Sequence, residues 1–132
     1  MLDTSTVILL GQISDPTELP DESVISAITL AELSVGPHVA HDAAERSARQ
    51  QHLQQAEADF DALPFDGNCA RTFGAVAAAL HTSGRKPATR AYDALIAASA
   101  IAHALPLYTC NPADFARIPR LELRSVTHPH HQ

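Results

Sequence analysis

The sequence has no tryptophan, one methionine and two cysteines, and it contains no long hydrophobic run. No stretch approaches the roughly 18 uniformly apolar residues that a membrane-spanning helix needs. The chain passes from Met1 directly to Leu2 and Asp3 without a basic region, so we expect no conventional signal peptide. These absences predict a cytoplasmic protein without a membrane segment.

Cysteine and positive charge are both scarce. Cys69 and Cys110 lie far apart without metal-ligand spacing, which predicts two free, buried thiols in a reducing compartment. The chain has 9 Lys and Arg residues against 15 Asp and Glu residues, a formal net charge of −6. This balance argues against a broad phosphate-binding surface, so contact with a nucleic acid should be local or mediated by a metal ion.

Length and composition suit one globular domain. Of the 132 residues, 45% are hydrophobic and 18% are charged, which is sufficient for a buried core. We predict a single domain over residues 1–127. The histidine-rich end, residues 128–132, should be a disordered tail.

Short apolar segments alternate with longer segments of helical pattern. A first strand should end near Asp3, before a helix capped by Thr4 or Ser5, and Gly36-Pro37 should end a second helix. The further predicted strands cover residues 23–25, 63–65, 105–109 and 121–126. The second helix covers residues 27–35, and the helices after it cover residues 41–63, 69–82 and 91–102. Such alternation predicts an α/β fold, a three-layer α/β/α sandwich with a central, mainly parallel sheet.

The predicted helix over residues 91–102 is apolar on nearly all sides but carries Asp93 near its start. A helix without a polar face is buried. Burying a carboxylate costs several kcal/mol unless the group is paired or binds a cation. Asp93 is therefore either a helix-start residue facing its own amides or a ligand. Glu32 presents the same problem, because it is the only charge in a core-like helix.

Several polar side chains follow the predicted strands at their carboxyl ends, where ligands bind in open parallel sheets. They are Asp3, Glu32, Asp93 and either Asn111 or Asp114. Alone, Asp3 also fits a plain cap, Glu32 a solvent-facing helix residue and Asp114 a turn former. Together they form an oxygen-only set that suits Mg²⁺ or Mn²⁺, ions that activate water and stabilise phosphodiester oxygens.

At these residues the chain resembles the PIN domain family and, within it, VapC-type toxin ribonucleases. The matching segments are residues 2–5, 25–33, 90–98 and 107–115. The resemblance implies a PIN-like fold and Mg²⁺-dependent cleavage of RNA, with catalytic metal ligands at Asp3, Glu32, Asp93 and near Asp114, supported by Ser5. The chain departs from the family at Asn111, where some relatives have an acid, and at Cys110, where a basic residue is common.

The resemblance also implies partners, namely an antitoxin and a second copy of the chain in a homodimer. We expect the antitoxin to place a basic side chain among the acids and to use the helical arm over residues 41–60 as a groove. Arg85, Lys86 and Arg90 are the predicted contacts to RNA phosphates. Two alternatives stay open: a catalytically silent module whose acidic pocket accepts a basic peptide, and a DNA nuclease with the same carboxylates.

Overall fold

The computed structural model describes residues 1–84 and 91–130. Within these ranges the helices are α1 (Thr4–Leu9), α2 (Ala27–His38), α3 (Ala43–Asp59), α4 (Gly67–Thr82) and α5 (Ala91–Ala102). The strands are β1 (Val24–Ser26), β2 (Asp61–Leu63), β3 (Leu107–Thr109) and β4 (Leu123–Ser125), and a 3₁₀ helix at Pro112–Phe115 follows β3.

The sheet is built around the first three residues of the chain. Leu2 forms a parallel bridge with Tyr108 of β3, and its N–H donates to the carbonyl of Val24 in β1 at 2.9 Å. β1 pairs with β2 and β3 pairs with β4, both in parallel. The spatial order is therefore β2, β1, the segment 1–3, β3 and β4, which confirms the predicted parallel sheet.

Two hydrophobic clusters cover the two faces of this sheet. One includes Val76 of α4 and Ile96 of α5, and the other includes Leu33 of α2 and Ala56 of α3. Neighbouring strand residues alternate between the clusters, as the pleat of a strand requires; these pairs are Met1 and Leu2, Val24 and Ile25, and Leu107 and Tyr108. Helices cover both faces, so the predicted three-layer α/β/α sandwich is confirmed.

Side-chain caps decide where the helices begin. Asp3 caps α1 by accepting from the N–H of Thr6, so the prediction of Thr4 or Ser5 as the cap was wrong. A carboxylate at this position satisfies an amide that has no partner inside the helix. Ser26 caps α2 and Asp66 caps α4 in the same way.

Helix α2 continues to His38, so the prediction that Gly36-Pro37 ends it was wrong. Pro37 lies inside the last turn of this helix, where it cannot donate an N–H to the carbonyl one turn earlier. Gly36 instead makes room for the side chain of Arg49, because an added Cβ would lie 3.2 Å from the Arg49 Cδ. The guanidinium of Arg49 donates to the carbonyl of Gly36 at 3.0 Å.

Helix α3 ends at Asp59, earlier than the predicted residue 63, and β2 begins at Asp61 rather than at residue 63. Phe60 has extended backbone angles and joins the cluster that contains Ala56, which turns the chain back toward the sheet. The register of β2 follows from backbone pairing with β1, Val24 opposite Asp61, and not from an apolar side-chain pattern. Helix α4 begins at Gly67, two residues before the predicted start.

The remaining general predictions have mixed outcomes. Cys69 and Cys110 are buried and free, as predicted. Within the described ranges, no helix has the length and apolar character that a membrane span would need. The disordered tail over residues 128–132 stays a prediction. Residues 129–130 form a turn, and the His130 N–H donates to Nδ1 of His128 at 3.1 Å. Residues 131 and 132 lie outside the described residues.

Candidate active site

Asp3 lies at the carboxyl end of the central segment of the sheet and is only 3% exposed. Its Oδ1 accepts from the N–H of Thr6 at 3.0 Å and from the Thr6 hydroxyl at 2.5 Å. Its Oδ2 accepts from the hydroxyls of Ser5 at 2.9 Å and Thr109 at 2.8 Å. Four donors therefore hold one buried carboxylate in a single orientation.

The loop after β3 is attached to the same carboxylate through these hydroxyls. The Thr6 hydroxyl accepts from the N–H of Cys110 at 3.1 Å, and the Thr109 hydroxyl accepts from the N–H of Asn111 at 2.9 Å. The side-chain amide of Asn111 donates to the Ser5 hydroxyl at 3.0 Å. The structure thus joins Asp3, Ser5 and Asn111 in one hydrogen-bonded network.

Sequence reasoning missed Thr6 and Thr109, which complete this network. Thr6 stands three residues after Asp3, the spacing of a helix cap, so its N–H could have been assigned to the carboxylate. Nothing in the local pattern of Leu107–Thr109 marks the Thr109 hydroxyl, because its contact with Asp3 joins residues 106 positions apart.

Glu32 lies on α2, beside the Asp3 network. One turn earlier on the same helix, Thr29 accepts a hydrogen bond at 3.1 Å from the hydroxyl of Thr4, the residue next to Asp3. Glu32 and Thr4 line one cavity of about 260 Å³. The Oε1 of Glu32 is buried and has no hydrogen-bond partner. A buried carboxylate oxygen in this state is unfavourable, so it is a position for a cation or a donor from another molecule.

The other two predicted ligands are half-buried. Asp93 lies in the first turn of α5. Asp114 lies in the 3₁₀ helix after β3, where its N–H donates to the carbonyl of Asn111 at 3.0 Å. The predicted RNA contacts Arg85, Lys86 and Arg90 lie outside the described residues.

Burial also affects the thiol beside this site. Cys110 is 5% exposed, and burial raises the pKa of its thiol. A hydrogen bond between the Thr6 hydroxyl and Sγ of Cys110, at 3.7 Å, lowers the pKa of the thiol, and the negative charges of Asp3 and Glu18 raise it. The thiolate is therefore disfavoured at neutral pH, and Cys110 is unsuited to act as a nucleophile.

The side chains that line the site carry hard oxygen ligands. Within residues 1–84 and 91–130, no three His, Cys, Asp or Glu side chains already stand close enough to hold an ion together. The donor chemistry nevertheless fits Mg²⁺ or Mn²⁺, and the partnerless Oε1 of Glu32 is the observation that favours such an ion.

A buried aspartate at the carboxyl end of a central parallel segment, with further carboxylates on adjacent helices, is the arrangement that the PIN resemblance implies. The family model of the PIN domain matches residues 1–121. The chain belongs to the PIN domain family.

The individual relatives are more specific. Ribonuclease VapC5 of Mycobacterium tuberculosis is 37% identical over 120 residues, which cover 89% of this chain and 86% of the relative. Ribonuclease VapC of Rickettsia bellii is 32% identical over 129 residues, which cover 96% of this chain and 95% of the relative. The predicted similarity to VapC-type proteins is therefore confirmed.

Solved structures agree with this result. A crystal structure of VapBC-5 from Mycobacterium tuberculosis, a member of the VapBC family of toxin-antitoxin systems, matches with a TM-score of 0.78 and 34% identity. That match covers 95% of this chain and 94% of the other. VapBC2 from Rickettsia felis, bound to a DNA fragment from its promoter, matches with a TM-score of 0.71 and 28% identity over 95% of this chain and 96% of the other.

Proposed function

We propose that this chain is a Mg²⁺-dependent endoribonuclease and the toxin of a toxin-antitoxin pair. The observation that carries the proposal is the match to ribonucleases of the VapC type over nearly the whole chain, up to 37% identity. The buried, hydrogen-bonded Asp3 supports it, because an orienting network around one carboxylate is what a catalytic acid needs.

Asp3, Glu32, Asp93 and Asp114 are the residues that would hold Mg²⁺ or Mn²⁺. When bound, the ion would supply Lewis acidity that activates water and stabilises the oxygens of the cleaved phosphodiester. Oδ2 of Asp3 accepts only from hydroxyls, those of Ser5 and Thr109, and a hydroxyl can turn its proton elsewhere. Oδ1 is tied to a backbone N–H. Oδ2 is therefore the oxygen of Asp3 that can exchange a hydrogen bond for a cation.

The antitoxin would neutralise the same carboxylates. A partner that places an arginine or lysine beside Glu32 would give its partnerless Oε1 a charge-assisted hydrogen bond. We propose that an antitoxin segment does this, and that its apolar residues bind along the helical arm of residues 41–60.

A homodimer is also proposed, and light scattering on the purified protein would test it.

A cleavage assay tests the main proposal. The purified protein is incubated with a panel of structured RNAs and with DNA of matching sequence, in Mg²⁺, Mn²⁺ or EDTA. We expect RNA cleavage that EDTA stops and that an Asp3→Asn variant lacks. Cleavage of DNA alone would instead favour the nuclease alternative, and binding of a basic peptide without any cleavage would favour the silent module.

A further inference from the structure

Two basic side chains stand on the wall of the cavity that contains Glu32. Arg49 and His52 of α3 line this cavity of about 260 Å³ together with Glu32 and Thr4. Basic residues are scarce in a chain with a net charge of −6, so their position beside the candidate catalytic acids requires an explanation. Carboxylates alone would repel an RNA backbone, and nearby cations would offset that repulsion.

The guanidinium of Arg49 is held in place. It donates to the carbonyl of Gly36 at 3.0 Å and forms an ion pair with Glu45 one turn earlier on α3. These two contacts use only part of the five N–H donors of a guanidinium, and the side chain remains 36% exposed. Arg49 is thus already positioned and still has N–H groups that can donate to a ligand. Its side chain would lose little further conformational entropy on binding.

His52 connects this cavity to a second one. The second cavity, about 300 Å³, is lined by His52 and Ile8, which also line the first, and by the polar residues Gln12, Gln55 and Asp59. In the part of the chain that the structure describes, the His52 ring makes no hydrogen bond. The two cavities adjoin at Ile8 and His52, and we call them together the groove; it extends from Glu32 past His52 to Gln12.

We propose that Arg49 and His52 bind the RNA phosphate next to the cleaved one, and that the RNA strand continues along this groove. This inference rests on the proposed ribonuclease function. Phosphate oxygens accept hydrogen bonds only, which matches the free donors of Arg49 and an imidazole N–H. An acidic protein segment has the same complementary charge, but if it were the occupant, the KM for RNA and its salt slope would be unchanged in the groove variants.

The test measures RNA cleavage by Arg49→Gln and His52→Gln at several salt concentrations. For Arg49→Gln we expect KM to rise about tenfold with little change in kcat, because a charge-assisted contact to substrate is lost. The slope of log KM against log salt should fall by about 0.7, the value for one lost phosphate contact on a single strand. For His52→Gln we expect a smaller rise in KM.

Arg46→Gln is the matched control. Arg46 is on the same helix, but it lines a different cavity with His38 and Gln50, where neither Glu32 nor Thr4 is present. This variant should retain the KM and the salt slope of the parent.

The outcomes are distinct. If the parent cleaves no RNA, the proposed function fails and this inference fails with it. If the parent cleaves RNA and both groove variants keep its KM and salt slope, this inference alone is wrong. Should Arg49→Gln fail to fold, as circular dichroism would reveal, His52→Gln decides.

Discussion

Asp3 and Glu32 are two carboxylates of one candidate site, but their surroundings differ. Asp3 accepts four hydrogen bonds, from Ser5, Thr109 and twice from Thr6. Glu32 has a buried Oε1 that accepts none. The fold supplies four donors to the carboxylate of Asp3 and none to the buried Oε1 of Glu32.

This difference indicates that the two acids contribute to stability with opposite signs. A buried carboxylate with a full set of donors stabilises the fold, since its removal leaves those donors without an acceptor. A buried carboxylate oxygen without a donor destabilises the fold until a cation or a partner satisfies it. Sites under functional selection commonly retain such unfavourable groups.

Replacing Asp3 by Asn should have the largest effect. Asn offers an NH₂ group in place of one oxygen, so buried donors lose an acceptor, at a cost of about 2 kcal/mol. For a domain of this size the melting temperature should fall by roughly 7 °C. RNA cleavage should fall by about a hundredfold or more, as when one stabilising group is removed from an active site.

Asp66→Asn is the matched control, because Asp66 is also a helix cap but lies outside the site. Asn caps a helix nearly as well as Asp, so this variant should melt and cleave like the parent. Thermal melts and initial cleavage rates check both variants. If Asp3→Asn melts like the parent and cleaves RNA at the full rate, Asp3 is not part of the active site.

Replacing Glu32 by Gln should shift stability in the opposite direction. Without metal, the variant should be more stable than the parent by about 1–2 kcal/mol, because a neutral amide is less costly to bury than a carboxylate. That corresponds to a rise in melting temperature of roughly 4–7 °C in EDTA, accompanied by loss of cleavage. Glu57→Gln, on an exposed position of α3, should change neither quantity. A melting temperature for Glu32→Gln below that of the parent would contradict the claim that Glu32, unlike Asp3, destabilises the metal-free fold.

Divalent ions should raise the melting temperature of the parent, because they would bind the carboxylates of the candidate site. An ion that binds only the folded state adds about 1.4 kcal/mol at ten times its Kd, a rise of roughly 3–6 °C for the parent. Asp93→Asn removes one repelling charge and one ligand together. It should melt above the parent in EDTA and gain less from Mn²⁺ or Mg²⁺. If the variant shows the parent's full metal-dependent rise, Asp93 is a helix-start residue and not a ligand.

Ser5→Ala should have the smallest effect. The Ser5 hydroxyl donates to Asp3 and accepts from Asn111, so its loss loosens one side of the Asp3 network without removing the carboxylate. We expect a loss of about 0.5–1 kcal/mol, a fall of roughly 2–4 °C in melting temperature, and a fewfold slower cleavage.

Ser34→Ala is the comparison for this change, because the Ser34 hydroxyl bonds only within its own helix, to the carbonyl of Leu30. Alanine favours a helix more than serine does, so this variant should melt at or slightly above the parent. Equal melting and equal rates in Ser5→Ala and Ser34→Ala would show that Ser5 does not support Asp3.

The site was only partly predictable. Asp3 and Asn111 were predicted from their positions after the strands, the family resemblance implied Ser5, and the structure joins the three by hydrogen bonds. Thr109 was missed because the contact that gives it a role connects distant parts of the chain. Gly36 was read as the end of a helix because glycine and proline usually have that effect locally. Its packing against Arg49 overrides that tendency.

The sequence by itself determined the alternation of strands and helices, the parallel sheet and the family, because these depend on local apolar patterns and on motifs read in order. Only the tertiary structure decided which carboxylate is satisfied and which is not. Hydrogen bonds to Asp3 come from Ser5, Thr6 and Thr109 on two separate elements, whereas the buried Oε1 of Glu32 receives none. The hydrogen-bond partners of a buried charge come from segments that are distant in sequence, so a local sequence pattern does not predict them.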